Sequence, residues 1–268
     1  MPVTTSFISF PEGVVQVRPL RLALLANTEA WFALEKPPGL TATRDALRSD
    51  AKGTTLLDAL RREAALGKGQ FSARGISEVH AVSFPDPEVA GIFLCAKSEA
   101  AKMSMKNAMG ACEFTFFHRF LTFSRENRGE FLCELPLAHP AKSARMLVSN
   151  TTGKRTATRF RIFKCLRGYA LWEAESAYNR RHQIRLHAAE SGIPVLGDRF
   201  YAGSNPLYLS QLKPKYRAKG PEKPLYEHPA LYMTKMRLPD PASGEQVEIE
   251  APTPPKAQAL IARIERYG

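Results

Sequence analysis

Asp86 is the first residue whose setting suggests chemistry. It stands between Pro85 and Pro87 in "SFPDPEVAGIFLCAK" (Ser83 to Lys97), just ahead of an apolar run. Proline fixes its own φ, and Pro87 drives Asp86 out of the α region, so one carboxylate is held stiffly. Two readings are open: an x-P-D-x turn, and a nucleophile at the mouth of a strand. A second group lies in "NRRHQIRLHAAESGIPVLGDRFYAG" (Asn179 to Gly203). On a helix from about 182 to 191, Gln183 and His187 share one face and Arg181 and Arg185 another. Ile184, Ala188 and Ser191 give that helix an apolar stripe. A partly buried arginine requires an anion, because an unpaired buried charge is costly. Arg185 therefore asks for a carboxylate or a phosphate. His182 and His187 lack the i, i+4 spacing of a helical metal pair, so structural hydrogen bonding is their expected use. "PVLGDRFYAG" reads as an apolar strand entering a Gly-Asp turn. Finally, Lys213, Lys215, Arg217, Lys219 and Lys223 crowd a Pro/Gly loop, "QLKPKYRAKGPEKP". That loop suits either phosphate contact or a solvated surface.

The whole-chain balance points the same way. Lys+Arg 38 against Asp+Glu 26 gives a net charge of +12 and a pI near 9.7. Such a surplus fits a polyanionic partner, since cations that neutralise phosphates release counterions. Hydrophobic residues at 44% and charged residues at 24% exclude a disordered chain. Cys95, Cys112, Cys133 and Cys165 lie far apart with no zinc spacing, so free thiols in a reducing compartment are expected. No run approaches ~18 apolar residues, and the N-terminus carries no secretory pattern. A cytosolic protein is the default. No carboxylate or histidine cluster has metal spacing, which argues against a metal hydrolase or nuclease.

Several elements must position these groups. "GVVQV", "LALLA" and "WFALE" read as short strands, followed by a Pro/Gly loop, "EKPPGLTAT". "TTLLDALRREAALG" is an amphipathic helix with a Thr cap, "GIFLCAK" a buried strand, and "SEAAKMSMKNAM" a helix opened by Ser98. "EFTFFHRFLTF", "RTATRFRIFKCL" and "YALWEAES" are strand-like. "ALYMTKMRLPD" and "QVEIEAP" supply late strands, and "KAQALIARIERY" a final helix. Strands and helices interleave without a βαβ rhythm. The expected class is α+β, with a mixed, mostly antiparallel sheet and flanking helices. With no long or polar linker, residues 1–268 read as one domain.

Arg180 to Tyr201 resembles the third signature of the RluA-type pseudouridine synthases, R-x-H-Q-I-R-x-H…G-x-P-x-x-G-D-x-x-Y. Arg180, His182, Gln183, Ile184, Arg185, His187, Gly192, Pro194, Gly197, Asp198 and Tyr201 meet every fixed position. "WFALEKPPGLTAT" resembles the first signature, with Glu35 in place of Asn. "ALYMTKMRLPDPASGEQVEIEAPTPP" resembles the C-terminal strand pair. The likeness runs from roughly residue 30 to 256, and the upstream part does not resemble the separate RNA-binding module of some members. The second signature, H-R-L-D-x-x-T-S-G, is divergent. Aligned without gaps from "GIFLCAK", Asp86 takes the signature's Asp. Ser83, Phe84 and Pro85 then replace His, Arg and Leu, and Val89-Ala90 replaces Thr-Ser. A rival register seats His80 on the His but puts Ser83 at the nucleophile and needs three inserted residues. The family's active-site tyrosine is replaced by Phe116 or Phe117.

The resemblance implies the pseudouridine synthase fold, with an active-site cleft across the sheet. It also implies an isomerase that detaches uracil from C1′ and reattaches it through C5, without metal or cofactor. Asp86 would be the key catalytic group and Arg185 the cation that keeps it ionised. Phe84 would stack on bases but supply no charge. Phe116, Phe117, Ile184 and Tyr201 would line the base pocket, and Arg180, His182 and Gln183 would contact substrate. Lys36 is either structural or RNA-facing. The partner would be rRNA or tRNA, bound by a monomer with no membrane association, and Lys213, Lys215, Arg217 and Lys219 would touch its backbone. Loss of the arginine and tyrosine leaves a rival: a catalytically silent homologue that binds RNA in folding or ribosome assembly.

Overall fold

A computed structural model describes residues 6–44, 53–123, 129–140, 143–201, 205–213, 215–218 and 220–268. The chain groups into two compact units, Met1–Thr115 with Lys235–Ala251, and Phe116–Thr234 with Pro252–Gly268.

In the first unit, β1 (Ser6–Phe10), β2 (Leu20–Asn27), β3 (Trp31–Lys36), β4 (His80–Ala81) and β5 (Gly91–Ala96) form a sheet in the order β1-β2-β3-β5-β4. Neighbours in it run antiparallel. β5 is buried along its whole length, as its unbroken apolar run requires of an interior strand. Alternate residues of β3 and β5 (Phe32, Leu34, Phe93, Cys95) share a core cluster with Leu56, Leu57 and Leu60 of α1 (Leu56–Ala65). α1 opens on a capping box, with Thr55 and Asp58 satisfying each other's backbone N–H groups. α2 (Gly69–Ser72) follows, and Ser98 caps α3 (Glu99–Gly110). The expected strand "GVVQV" is a turn: Gly13 has φ 79 and donates its N–H to the Gln16 carbonyl. Bracketed by Pro11 and Pro19, that run cannot extend into a ladder, and Val17 is left exposed. The strand lies earlier, at "SFISF", where Ile8 and Phe10 alternate into the core.

In the second unit, β6 (Thr115–Thr122), β7 (Phe131–Cys133), β10 (Thr158–Leu166) and β11 (Tyr169–Ser176) lie in the order β6-β11-β10-β7. These pairings are antiparallel. β8 (Leu137–Ala138) and β9 (Leu147–Val148) form a separate ribbon. α4 (Gln183–Glu190) is enclosed on all sides, with residues 183–188 buried, so its polar side chains need internal partners. α5 (Leu209–Leu212) follows. β12 (Leu231–Pro239) borders β6 and runs from the second unit into the first, where Lys235–Pro239 pairs with β13 (Gln246–Glu250). α6 (Pro255–Tyr267) closes the chain, burying Ala257, Leu260 and Ile264. Pro194 to Leu196 is not the expected strand. Leu196 instead donates its N–H to the Leu121 carbonyl and accepts from Ala230, a single point of attachment after the Gly192–Ile193 helix stop.

The result is the α+β class with mainly antiparallel sheets. The four cysteines are free; Cys95 and Cys133 are buried, Cys112 and Cys165 exposed. Among the described residues no helix is long and apolar enough to cross a membrane. No group of three or more His, Cys, Asp or Glu among them is arranged to hold a metal ion.

Candidate active site

The β4–β5 connection shows how the Asp86 carboxylate is held. Val82 and Ser83 both donate to the Leu94 carbonyl, and the Ser83 hydroxyl accepts the Leu94 N–H at 2.9 Å. Ser83 thereby takes the last rung of the ladder with its side chain. Beyond it Pro85 and Pro87 have no N–H to offer, so pairing cannot resume. The Asp86 carbonyl accepts the Val89 N–H at 3.1 Å, closing a turn with Pro87 in the second position, where proline is favoured. Gly91 begins β5 at φ 134, opposite Lys36 in the register.

Lys36 anchors that turn from below. Its side chain is fully buried, and Nζ donates to the carbonyls of Pro37 at 3.0 Å, Leu40 at 3.1 Å and Pro87 at 3.0 Å. The Pro87 carbonyl also accepts the Gly39 N–H at 2.8 Å. The Pro/Gly loop after β3 and the turn before β5 are thus tied to one another through a single carbonyl. Burial pushes the Lys36 ammonium down to about 7, while Asp86 and Glu88 pull its pKa upward. The RNA-facing expectation for Lys36 is corrected: with no exposed surface and three protons spent on carbonyls, it positions the loop. Glu35, in place of the signature's Asn, is partly buried, and desolvation raises its pKa.

In the second unit Arg185 obtains the anion its burial demands. Nε and Nη2 fork onto the two carboxylate oxygens of Asp198 at 2.6 and 2.9 Å, with both side chains almost wholly buried. Asp198, read from sequence only as part of a Gly-Asp turn, is thus an ion-pair partner that local pattern did not reveal. It also accepts the Phe200 N–H, bracing the turn. The ring centroids of Phe200 and Tyr201 lie 5.2 and 5.6 Å from the Arg185 guanidinium carbon.

The neighbouring polar side chains serve the scaffold. Gln183 Nε2 reaches the Ala157 carbonyl and the hydroxyls of Thr158 and Ser176, while its Oε1 accepts the Arg180 N–H. Its expected substrate contact is corrected: the amide is buried and ties α4 to β10 and β11. His187 is fully buried between Thr156, Thr158 and the Leu135 carbonyl, and burial lowers its pKa. His182 caps α4 in the left-handed region, at φ 52. The Tyr201 hydroxyl accepts the Met146 N–H at 2.8 Å and shares a hydrogen bond with His182 Nδ1, 2.6 Å away. His182 and Tyr201 are therefore joined, although their spacing predicts no contact.

Phe116 lies on an interior strand opposite Ser176 and is fully buried; Phe117 and Ile184 are nearly so. β6 has strands on both sides, and the Phe116 ring is counted with the buried core. Phe84 and Arg180 are exposed. Lys213, Lys215, Arg217 and Lys223 are exposed as well, as a phosphate-contacting loop needs, and Lys219 lies outside the described residues.

No family profile matches the chain. Similarity to individual proteins is nonetheless extensive. "Ribosomal large subunit pseudouridine synthase D" of Haemophilus ducreyi is 27% identical over 186 residues, 67% of this chain and 54% of its own length. The protein of the same name from Xylella fastidiosa is 26% identical over 245 residues, 91% of this chain and 69% of its own. The solved structure "Human RNA Pseudouridylate Synthase Domain Containing 4" superposes with a TM-score of 0.66 at 14% identity, covering 90% of this chain and 92% of that one. The chain is a homologue of the RluA-type pseudouridine synthases. It spans about half the length of the Haemophilus relative. The fold of this synthase homologue is the pseudouridine synthase fold.

Proposed function

We infer that the chain is an RNA pseudouridine synthase, isomerising uridine to pseudouridine in rRNA or tRNA, with Asp86 as the key catalytic carboxylate. The observation that carries this reading is the anchoring of the Asp86 turn. Two prolines, the Val89 closure and the shared Pro87 carbonyl hold one carboxylate on a rigid connection leading into β5. Rigid placement of a single charged group is what catalysis needs and an ordinary surface turn does not. The Lys36 ammonium beneath it favours the ionised carboxylate. Arg185, forked onto Asp198 through Nε and Nη2, is assigned here as a positioning residue. The names of the curated relatives support large-subunit rRNA as the substrate class. A base cannot be worked on inside a stack, so the target uridine is extruded, at a cost smallest for single-stranded or mismatched RNA. No cofactor or metal is required, and the cytosol suits the free thiols.

The test is the pseudouridine map of RNA from a deletion strain, read by mass spectrometry after carbodiimide labelling. A site that disappears, returns with the wild-type gene and stays absent with Asp86→Ala establishes the enzyme. Phe84 in the place of the family's arginine, and Phe116 or Phe117 in the place of its tyrosine, favour a second reading as a catalytically silent RNA-binding homologue. An unchanged map with altered ribosome assembly would establish that reading instead.

A further inference from the structure

Phe84 stands two residues ahead of Asp86, and half of its surface (50%) is open to solvent. Just upstream, Ser83 is buried and pinned to Leu94, so the ring is displayed from a fixed base. The Lys106 ammonium, from the last turns of α3, lies 4.5 Å from the centroid of that ring, within cation–π range. The acid on the same helix, Glu99, is engaged by Lys102 at 2.8 Å and by His80 at 2.9 Å. Among the described residues Lys106 itself makes no ion pair. A flat apolar ring and a cation outside any such pair therefore stand together, the ring two residues from the candidate nucleophile.

An unstacked nucleotide offers the complementary pair: a base with a π-face, and a phosphate one backbone step away. Aromatic side chains take the first and lysines the second in proteins that bind single strands. We propose that Phe84 and Lys106 form one RNA contact, in which the open face of the ring takes an unstacked base and the Lys106 ammonium takes the adjoining phosphate. This rests on the reading of the chain as a synthase acting on RNA and extends it. The charge that a phenyl ring cannot supply comes from α3.

The probe is a short oligouridylate. Both native tryptophans, Trp31 and Trp172, are buried, so a Phe84→Trp variant carries a single exposed indole. Its emission should be quenched as oligouridylate saturates it, with affinity close to wild type. Phe84→Ala should weaken oligouridylate binding about 5- to 160-fold. Lys106→Gln should weaken it less and reduce the slope of log K against log salt by about 0.7. Unmoved emission, together with wild-type affinity in both Phe84→Ala and Lys106→Gln, would overturn the contact and leave Lys106 as a cover for an exposed ring. Asp86→Asn separates the two claims. It should bind oligouridylate like wild type and yet leave the pseudouridine site empty in cells. If it instead restores the site, the catalytic reading falls while the Phe84–Lys106 contact stands or falls on binding alone.

Discussion

At the scale of single residues, two carboxylates divide the work. Asp86 is partly exposed, on a turn restrained by its two prolines, the Val89 closure and the Lys36 tie to Pro87. Asp198 is buried and spent on Arg185. The Arg185–Asp198 fork is the more legible in energy, because removing one partner of a buried pair leaves the other charge uncompensated, at about 3–5 kcal/mol. Arg185→Ala and Asp198→Ala should lower the urea midpoint to a similar degree, and the double variant should lose much less than the sum. A double-mutant cycle with no coupling energy would remove the fork from the stability of α4. Sequence pattern shows that Arg185 needs an anion, since an arginine beside Ile184 and Ala188 is bound for burial. The partner's identity depends on how the chain folds back after Gly192, which no spacing rule encodes.

At the scale of elements, the loop after β3 and the connection into β5 act as one piece through Lys36. Its three carbonyl acceptors match the three N–H bonds of an ammonium, yet burial brings its pKa from 10.5 to about 7. An unfolded chain keeps that proton up to the ordinary value. Between about pH 7 and 10.5, unfolding therefore takes up a proton at Lys36, and its contribution to stability rises with pH; below pH 7 both states hold the proton and the slope vanishes. The difference in Tm between wild type and Lys36→Met should widen in favour of wild type across that window. A difference independent of pH would mean that Lys36 does not titrate there. The Pro-Asp-Pro turn was readable locally, because proline acts on its immediate neighbours. The burial of Lys36 was not, because a lysine in a Pro/Gly loop looks solvated until a second loop closes over it. "GVVQV" failed for the opposite reason: its apolar content suggests a strand, but Gly13 and the flanking prolines forbid one.

At the scale of the whole molecule, the net charge of +12 is the broadest statement about a partner. Lys213, Lys215, Arg217 and Lys223 are exposed together. If they meet phosphates, replacing them with Gln should flatten the salt dependence of RNA affinity by roughly 0.7–0.9 for each phosphate no longer neutralised. An unchanged slope would assign the loop to solvent. The α+β class and its antiparallel sheets were visible in strand alternation and turn residues. The division into two units was not, because no polar linker marks it. The chain crosses between them at the start of β6, within β12 and again between β13 and α6; at the first two points the sequence simply reads as strand.

The thiols provide a handle on that division. One exposed cysteine, Cys112, belongs to the first unit and the other, Cys165, to the second, while Cys95 and Cys133 are shielded. Native protein can therefore take a donor dye and an acceptor dye without any engineered site. Energy transfer between them would report, molecule by molecule, whether the halves draw together when an oligonucleotide arrives.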